Sequence, residues 1–136
     1  MTSFNRRRFI GDTSKAAMAG TILAAAANTQ TKEMKNIFVH HVYFWLKNKD
    51  NKEDYDKLIN GLQKLSAVTT IQQFHIGKPA STSREVIDGS YAVSWLVLFK
   101  NKEDQDSYQT DPIHLKFVSE CSPLWSKVIV YDSADV

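Results

Sequence analysis

Two stretches of the chain, Ile37 to Leu46 and Ser90 to Lys100, are apolar, aromatic or β-branched at odd and even positions alike. A strand that shows one face to water alternates apolar with polar residues. A strand apolar on both parities must be covered on both sides. In the second stretch Tyr91, Val93, Trp95, Val97 and Phe99 share one side, and Ala92, Leu96 and Leu98 share the other. This pattern excludes a sheet with a single covered face. With helices on one side, Tyr43, Trp45, Val93 and Trp95 are expected on the side away from them, where they make a poor water-facing surface. The simplest cover is the same face of a second copy, giving an isologous homodimer in which two sheets form a barrel with helices outside.

The remaining elements follow from periodicity and punctuation. From Glu53 to Val68, apolar residues at Tyr55, Leu58, Ile59, Leu62 and Leu65 recur at spacings of three and four, which predicts an amphipathic helix. Ile71 to Ile76 is a second strand, and Gly77 to Gly89 is a loop rich in turn residues. Asn101 to Thr110 starts with acidic residues suited to a helix N-terminus. Asp111 then caps a new helix with Pro112 in its first position, and Ser126 to Asp132 forms the last strand. The order β-α-β-β-α-β, with the second helix broken in two, is an α+β, ferredoxin-like pattern.

Ahead of this domain, Asn5-Arg6-Arg7-Arg8-Phe9-Ile10-Gly11 runs into an Ala-rich stretch from Ala16 to Ala27. The segment looks like a twin-arginine export signal over residues 1–27, followed by a polar linker over 28–35. The expected destination is the periplasm or another exported location. Its apolar run is too short to span a bilayer, so no stable membrane insertion is expected. Of 17 basic and 15 acidic residues, four basic and one acidic fall in that segment, so the remainder is nearly neutral. Its lysines are mixed with carboxylates, which argues against a nucleic-acid partner. About 109 residues remain, enough for one small domain that gains from a partner. The single cysteine, Cys121, excludes an internal disulfide and reads as a buried, inert thiol.

The residues from 36 to 136 resemble the stress-responsive dimeric α/β-barrel (Dabb) family. The resemblance rests on His40-His41-Val42-Tyr43-Phe44 in the first strand, Gly61-Leu62-Gln63-Lys64-Leu65 in the helix, Phe99-Lys100-Asn101-Lys102-Glu103-Asp104 after the third strand, and Tyr108 to His114 in the pattern Tyr-x-x-x-Pro-x-His. It implies a homodimeric α/β barrel and a pocket between sheet and helices. It also implies that His40, Val42 and Phe44 face that pocket and His41 faces the dimer side. One plant branch closes polyketide rings by aldol condensation with the Tyr and His of the same stretch. Carried over, His114 is a general base and Tyr108 a hydrogen-bond donor to the developing enolate oxygen. The sequence departs from that branch at Val93, which stands where the cyclase has a pocket histidine.

His40 and His41 are adjacent on a strand, point to opposite faces and cannot share one metal ion. No third ligand is evident, so neither a metal nor another cofactor is expected. His75 reads either as a buried, hydrogen-bonded residue or as a dimer contact. Two functions fit these readings. One is an exported stress-related protein that binds a small hydrophobic or oxygenated molecule. The other is a cofactor-free cyclase, lyase or isomerase, with monooxygenation a lesser analogy.

Overall fold

The computed structural model of the chain describes residues 30–136; the expected export signal over 1–27 lies outside them. Strand β1 spans Phe38–Leu46, helix α1 Lys52–Leu65, β2 Ile71–Gly77, β3 Val93–Phe99, α2 Lys102–Thr110, α3 Pro112–Cys121 and β4 Trp125–Ala134. The strands form one antiparallel sheet in the order β2-β3-β1-β4, the ferredoxin-like arrangement read from the element order. Among the described residues, no helix is long and apolar enough to cross a membrane.

Each helix begins where a side chain can satisfy free backbone donors. Asn51 caps α1 and Asn101 caps α2, each accepting a bond from the backbone N–H three residues on. Asp111 accepts from the Ile113 N–H at 2.8 Å and Pro112 follows it, which starts α3 as the sequence predicts. Helix α1 stops at Leu65, short of the expected Val68. The chain turns there at Ser66, and Val68 still packs into the core from the turn.

The core lies between the helices and one face of the sheet. Leu58, Leu62 and Leu65 of α1 are fully buried against it, each worth about 1.5–3 kcal/mol of transfer free energy. Gly61 lies on the same helix because α1 and α3 approach closely; a Cβ at that position would stand 2.5 Å from the Cys121 sulfur. Cys121 is buried, and that burial raises the pKa of its thiol.

One face assignment is corrected. Val93 and Trp95 lie under the helices, because β3 pairs with β1 in the register Phe44 to Val93 and Val42 to Trp95, which places directly opposed residues on one face. The face away from the helices carries Val39, His41, Tyr43 and Trp45 from β1, Leu96 and Leu98 from β3, and Ile129 and Tyr131 from β4. Both strands are apolar on both parities, so only the register distinguishes their sides. In β2 an extra residue at the bulge between Ile71 and Gln73 lets Ile71, Phe74 and Ile76 all turn toward the helices. His75 lies on the other face and is exposed, which removes the buried alternative.

Candidate functional site

The break between α2 and α3 builds the site. Asp111 has extended backbone (φ −61°, ψ 135°), as a residue before proline prefers, so the chain changes direction without losing helix on either side. Tyr108, in the last turn of α2, and His114, in the first turn of α3, are thereby brought together with ring centroids 4.6 Å apart. Below them His40 rises from the first third of β1, its ring 5.7 Å from that of Tyr108.

These three side chains line a pocket of about 260 Å³ between sheet and helices. Val42, Phe44, Trp95 and Trp125 supply much of its apolar wall. Val128 and Val130 of the edge strand β4 and Val118 of α3 are partly exposed and form its rim. The five residues singled out in the sequence, His40, Val42, Phe44, Tyr108 and His114, all border this one space.

The polar atoms inside it are oriented. Tyr108 is 1% exposed. Its hydroxyl oxygen accepts a bond from the Trp95 indole N–H at 3.1 Å, and its own proton has no protein acceptor among the described residues. Burial pushes the pKa of this phenol up, so it remains a neutral donor. His114 Nδ1 lies 3.0 Å from the Gln109 carbonyl oxygen. A carbonyl can only accept, so Nδ1 carries the proton and Nε2 is left with a free lone pair. Burial lowers the pKa of His114, partly offset by that backbone bond and reinforced by nearby His40; the helix N-terminus also favours the neutral ring. His40 is 4% exposed and its Nδ1 lies 2.6 Å from an Asp132 carboxylate oxygen. Its Nε2 has no protein partner among the described residues.

Asp132, Trp95 and Gln109 are functional neighbours that the sequence reading missed. Asp132 continues the parity of Val128 and Val130 on β4 and pairs with His40 in register, so a charge on an otherwise apolar strand face was its one sequence signal. Among the described residues, no group of three or more His, Cys, Asp or Glu side chains is placed to hold a metal ion.

The opposite sheet face carries a different arrangement. Tyr43 makes edge contacts with Tyr91 at 4.9 Å and Tyr131 at 6.0 Å, and Lys127 places its ammonium 4.5 Å from the Trp45 ring centre. A groove of about 310 Å³ runs between these rings and Asp88.

The family described as Stress responsive A/B Barrel Domain (Dabb) matches residues 38–135, from the first residue of β1 to the end of β4. The chain belongs to the Dabb family. Among solved structures, a Dabb protein with a ferredoxin-like fold from Mesorhizobium loti superposes with a TM-score of 0.62 at 20% identity, covering 74% of this chain and 97% of its own. A dimeric ferredoxin-like protein of unknown function from Thermobifida fusca gives 0.61 at 15% identity, covering 78% and 97%. The hydroxynitrile lyase of Passiflora edulis gives 0.65 at 17% identity, covering 76% and 96%. At these identities the likeness establishes the fold. Among curated proteins none matches the chain. Within the Dabb fold, the pocket described above lies between the helix layer and the sheet, and the aromatic groove lies on the other side of the same sheet.

Proposed function

We propose that this Dabb protein is an exported homodimer that holds a small hydrophobic, oxygenated molecule in the pocket beneath Tyr108. The observation that carries the reading is the Tyr108 hydroxyl. It is a buried donor whose proton has no protein partner, set in an apolar cavity, and leaving such a donor unmatched costs about 1–3 kcal/mol. A ligand oxygen at that point satisfies it, and the aliphatic and aromatic walls suit the rest of a small apolar molecule. The second copy is expected on the aromatic face, where Tyr43, Trp45, Tyr91 and Tyr131 form the kind of patch enriched at interfaces. The dimeric state of the Thermobifida fusca protein supports a second copy. Export rests on the arginine-led segment before residue 28.

A cofactor-free enzyme is the second reading, favoured by the contact between the Tyr108 and His114 rings and by the free Nε2 of His114. In that reading His114 takes a proton from carbon next to a carbonyl, and Tyr108 donates to the oxygen where charge grows. The fold likeness to a hydroxynitrile lyase is consistent with such chemistry on this scaffold.

Native mass spectrometry of the protein recovered from the exported fraction of its host tests the first reading. The expected result is a dimer with an organic adduct, and a Tyr108→Phe dimer without it. An empty monomer would overturn both the ligand and the dimer. Turnover that His114→Ala abolishes while the dimer persists would move the assignment to the enzyme.

A further inference from the structure

The pocket contains two imidazoles, each with no partner for Nε2 among the described residues, but their other nitrogens are held differently. His114 Nδ1 donates to a neutral carbonyl, that of Gln109, at 3.0 Å. His40 Nδ1 is held at 2.6 Å by a carboxylate, that of Asp132. In each case the acceptor fixes the neutral tautomer. Only the carboxylate also stabilises the positive charge that appears when the ring takes a second proton, because a charge-assisted bond is about twice as strong as a neutral one. Burial opposes that charge on His114, and a proton on nearby His40 would oppose it further. Asp132 is suited to this part: its side chain is 43% exposed, so the carboxylate stays in contact with water while one oxygen reaches the buried ring.

We propose that His40, backed by Asp132, is the proton acceptor of this pocket, and that its partner is a small aryl or enolic molecule bearing a weakly acidic hydroxyl. The inference rests on the pocket reading above and departs from the role that the family resemblance gives His114. The step is a proton transfer. The ligand O–H bond breaks and an N–H bond forms at His40 Nε2. The electron pair stays on the ligand oxygen, which accepts a hydrogen bond from the Tyr108 hydroxyl and so matches that buried donor. The product is a phenolate or enolate held between the Tyr108 hydroxyl and an imidazolium paired with Asp132. His40 touches the ligand; Asp132 acts through it, as a positioning residue. His114 keeps its neutral ring and closes the pocket from above.

4-Nitrophenol is a direct probe, because its neutral and ionised forms absorb at different wavelengths and its ring suits the aromatic wall. Uptake is read separately, by quenching of the indole fluorescence to which Trp95 and Trp125 contribute. Near neutral pH the bound probe is expected as the phenolate. In Asp132→Asn and His40→Gln, the phenolate share of the probe that still binds falls by roughly tenfold or more relative to the neutral form. In His114→Gln uptake weakens, but the probe that binds is still ionised. A bound phenolate that survives Asp132→Asn and His40→Gln and disappears in His114→Gln overturns the inference and returns the base to His114. Probe bound by the unaltered protein as neutral phenol leaves the pocket standing and removes the base. Failure of the unaltered protein to bind the probe overturns the pocket reading. If Asp132→Asn alone cannot take up the probe, Asp132 belongs to the architecture of the site, and the inference fails on that result.

Discussion

His40 and His41 are neighbours in the chain and have opposite surroundings. His40 faces the helices, is buried and pairs with a carboxylate. His41 faces the other side, is partly exposed, and its Nδ1 lies 3.1 Å from the Tyr43 hydroxyl. The two sheet faces differ in the same way. On the helix side, polar atoms are few, oriented and enclosed by apolar walls, and one buried proton has no acceptor. On the far side, aromatic rings pack edge to face in a shallow groove open to water. The first is built to hold something small and the second to meet something broad. The pleat separates the two uses by one residue step.

The comparison breaks most readily at Trp95. Trp95→Ala removes a fully buried indole and the donor to Tyr108, and about 3–5 kcal/mol of stability should be lost in urea unfolding. Tyr131→Ala on the far face, where the ring is 63% exposed, should change the unfolding free energy of the single chain by under about 0.5 kcal/mol. Equal losses at the two sites would erase the distinction.

Next in size is the far face itself. Leu96→Asp puts a carboxylate amid that surface, and sedimentation should show dimerisation weakened by at least about 2 kcal/mol with the helical content intact. An unchanged dimer would mean that the copies meet elsewhere.

Acidification sharpens the contrast between the histidines. Burial lowers the pKa of both His41 and His114 from 6.5. The unfolded chain therefore binds protons that the folded chain resists, and stability present above pH 6.5 declines as pH falls below it toward the depressed folded values. Denaturant midpoints should drop between about pH 7.5 and about pH 5.5. His41→Gln and His114→Gln should each flatten part of that slope. A slope that neither variant changes would place its origin in other groups.

The smallest expected effect lies at the start of α3. Asp111→Ala removes the bond to the Ile113 N–H and should cost about 1 kcal/mol. Because α3 carries His114, 4-nitrophenol uptake should weaken along with stability, whereas Asn51→Ala at the start of α1 should lower stability alone.

The Asp111 cap and the element order were legible in the sequence because each is a local feature. Asp111 and Pro112 announce a helix start within a few residues. The near coincidence of Tyr108, His114 and His40 came from a family pattern and agrees with the geometry. Other features were hidden because they depend on strand register. Val93 and Trp95 changed face once β3 was paired with β1, since nothing in a two-sided apolar strand says which parity points inward. Asp132 is 92 residues from His40, and no short-range pattern links them. The third strand begins at Val93 and not at Ser90, whose hydroxyl accepts from the Trp45 indole and whose backbone N–H donates to the Asp88 carboxylate in the loop.

The domain is stitched shut where its first strand begins and its last strand ends. Asn36, with φ of 58°, turns the backbone into β1, and its N–H donates to the Asp135 carboxylate at 2.6 Å while Phe38 pairs with Ala134. Because the two ends of the domain meet side by side, the order of elements is a property of the ring they form more than of the point at which the chain enters it. Joining the ends with a short linker and reopening the chain in the exposed loop between Lys78 and Ser90 would leave every ladder bond in place, so this architecture tolerates circular permutation.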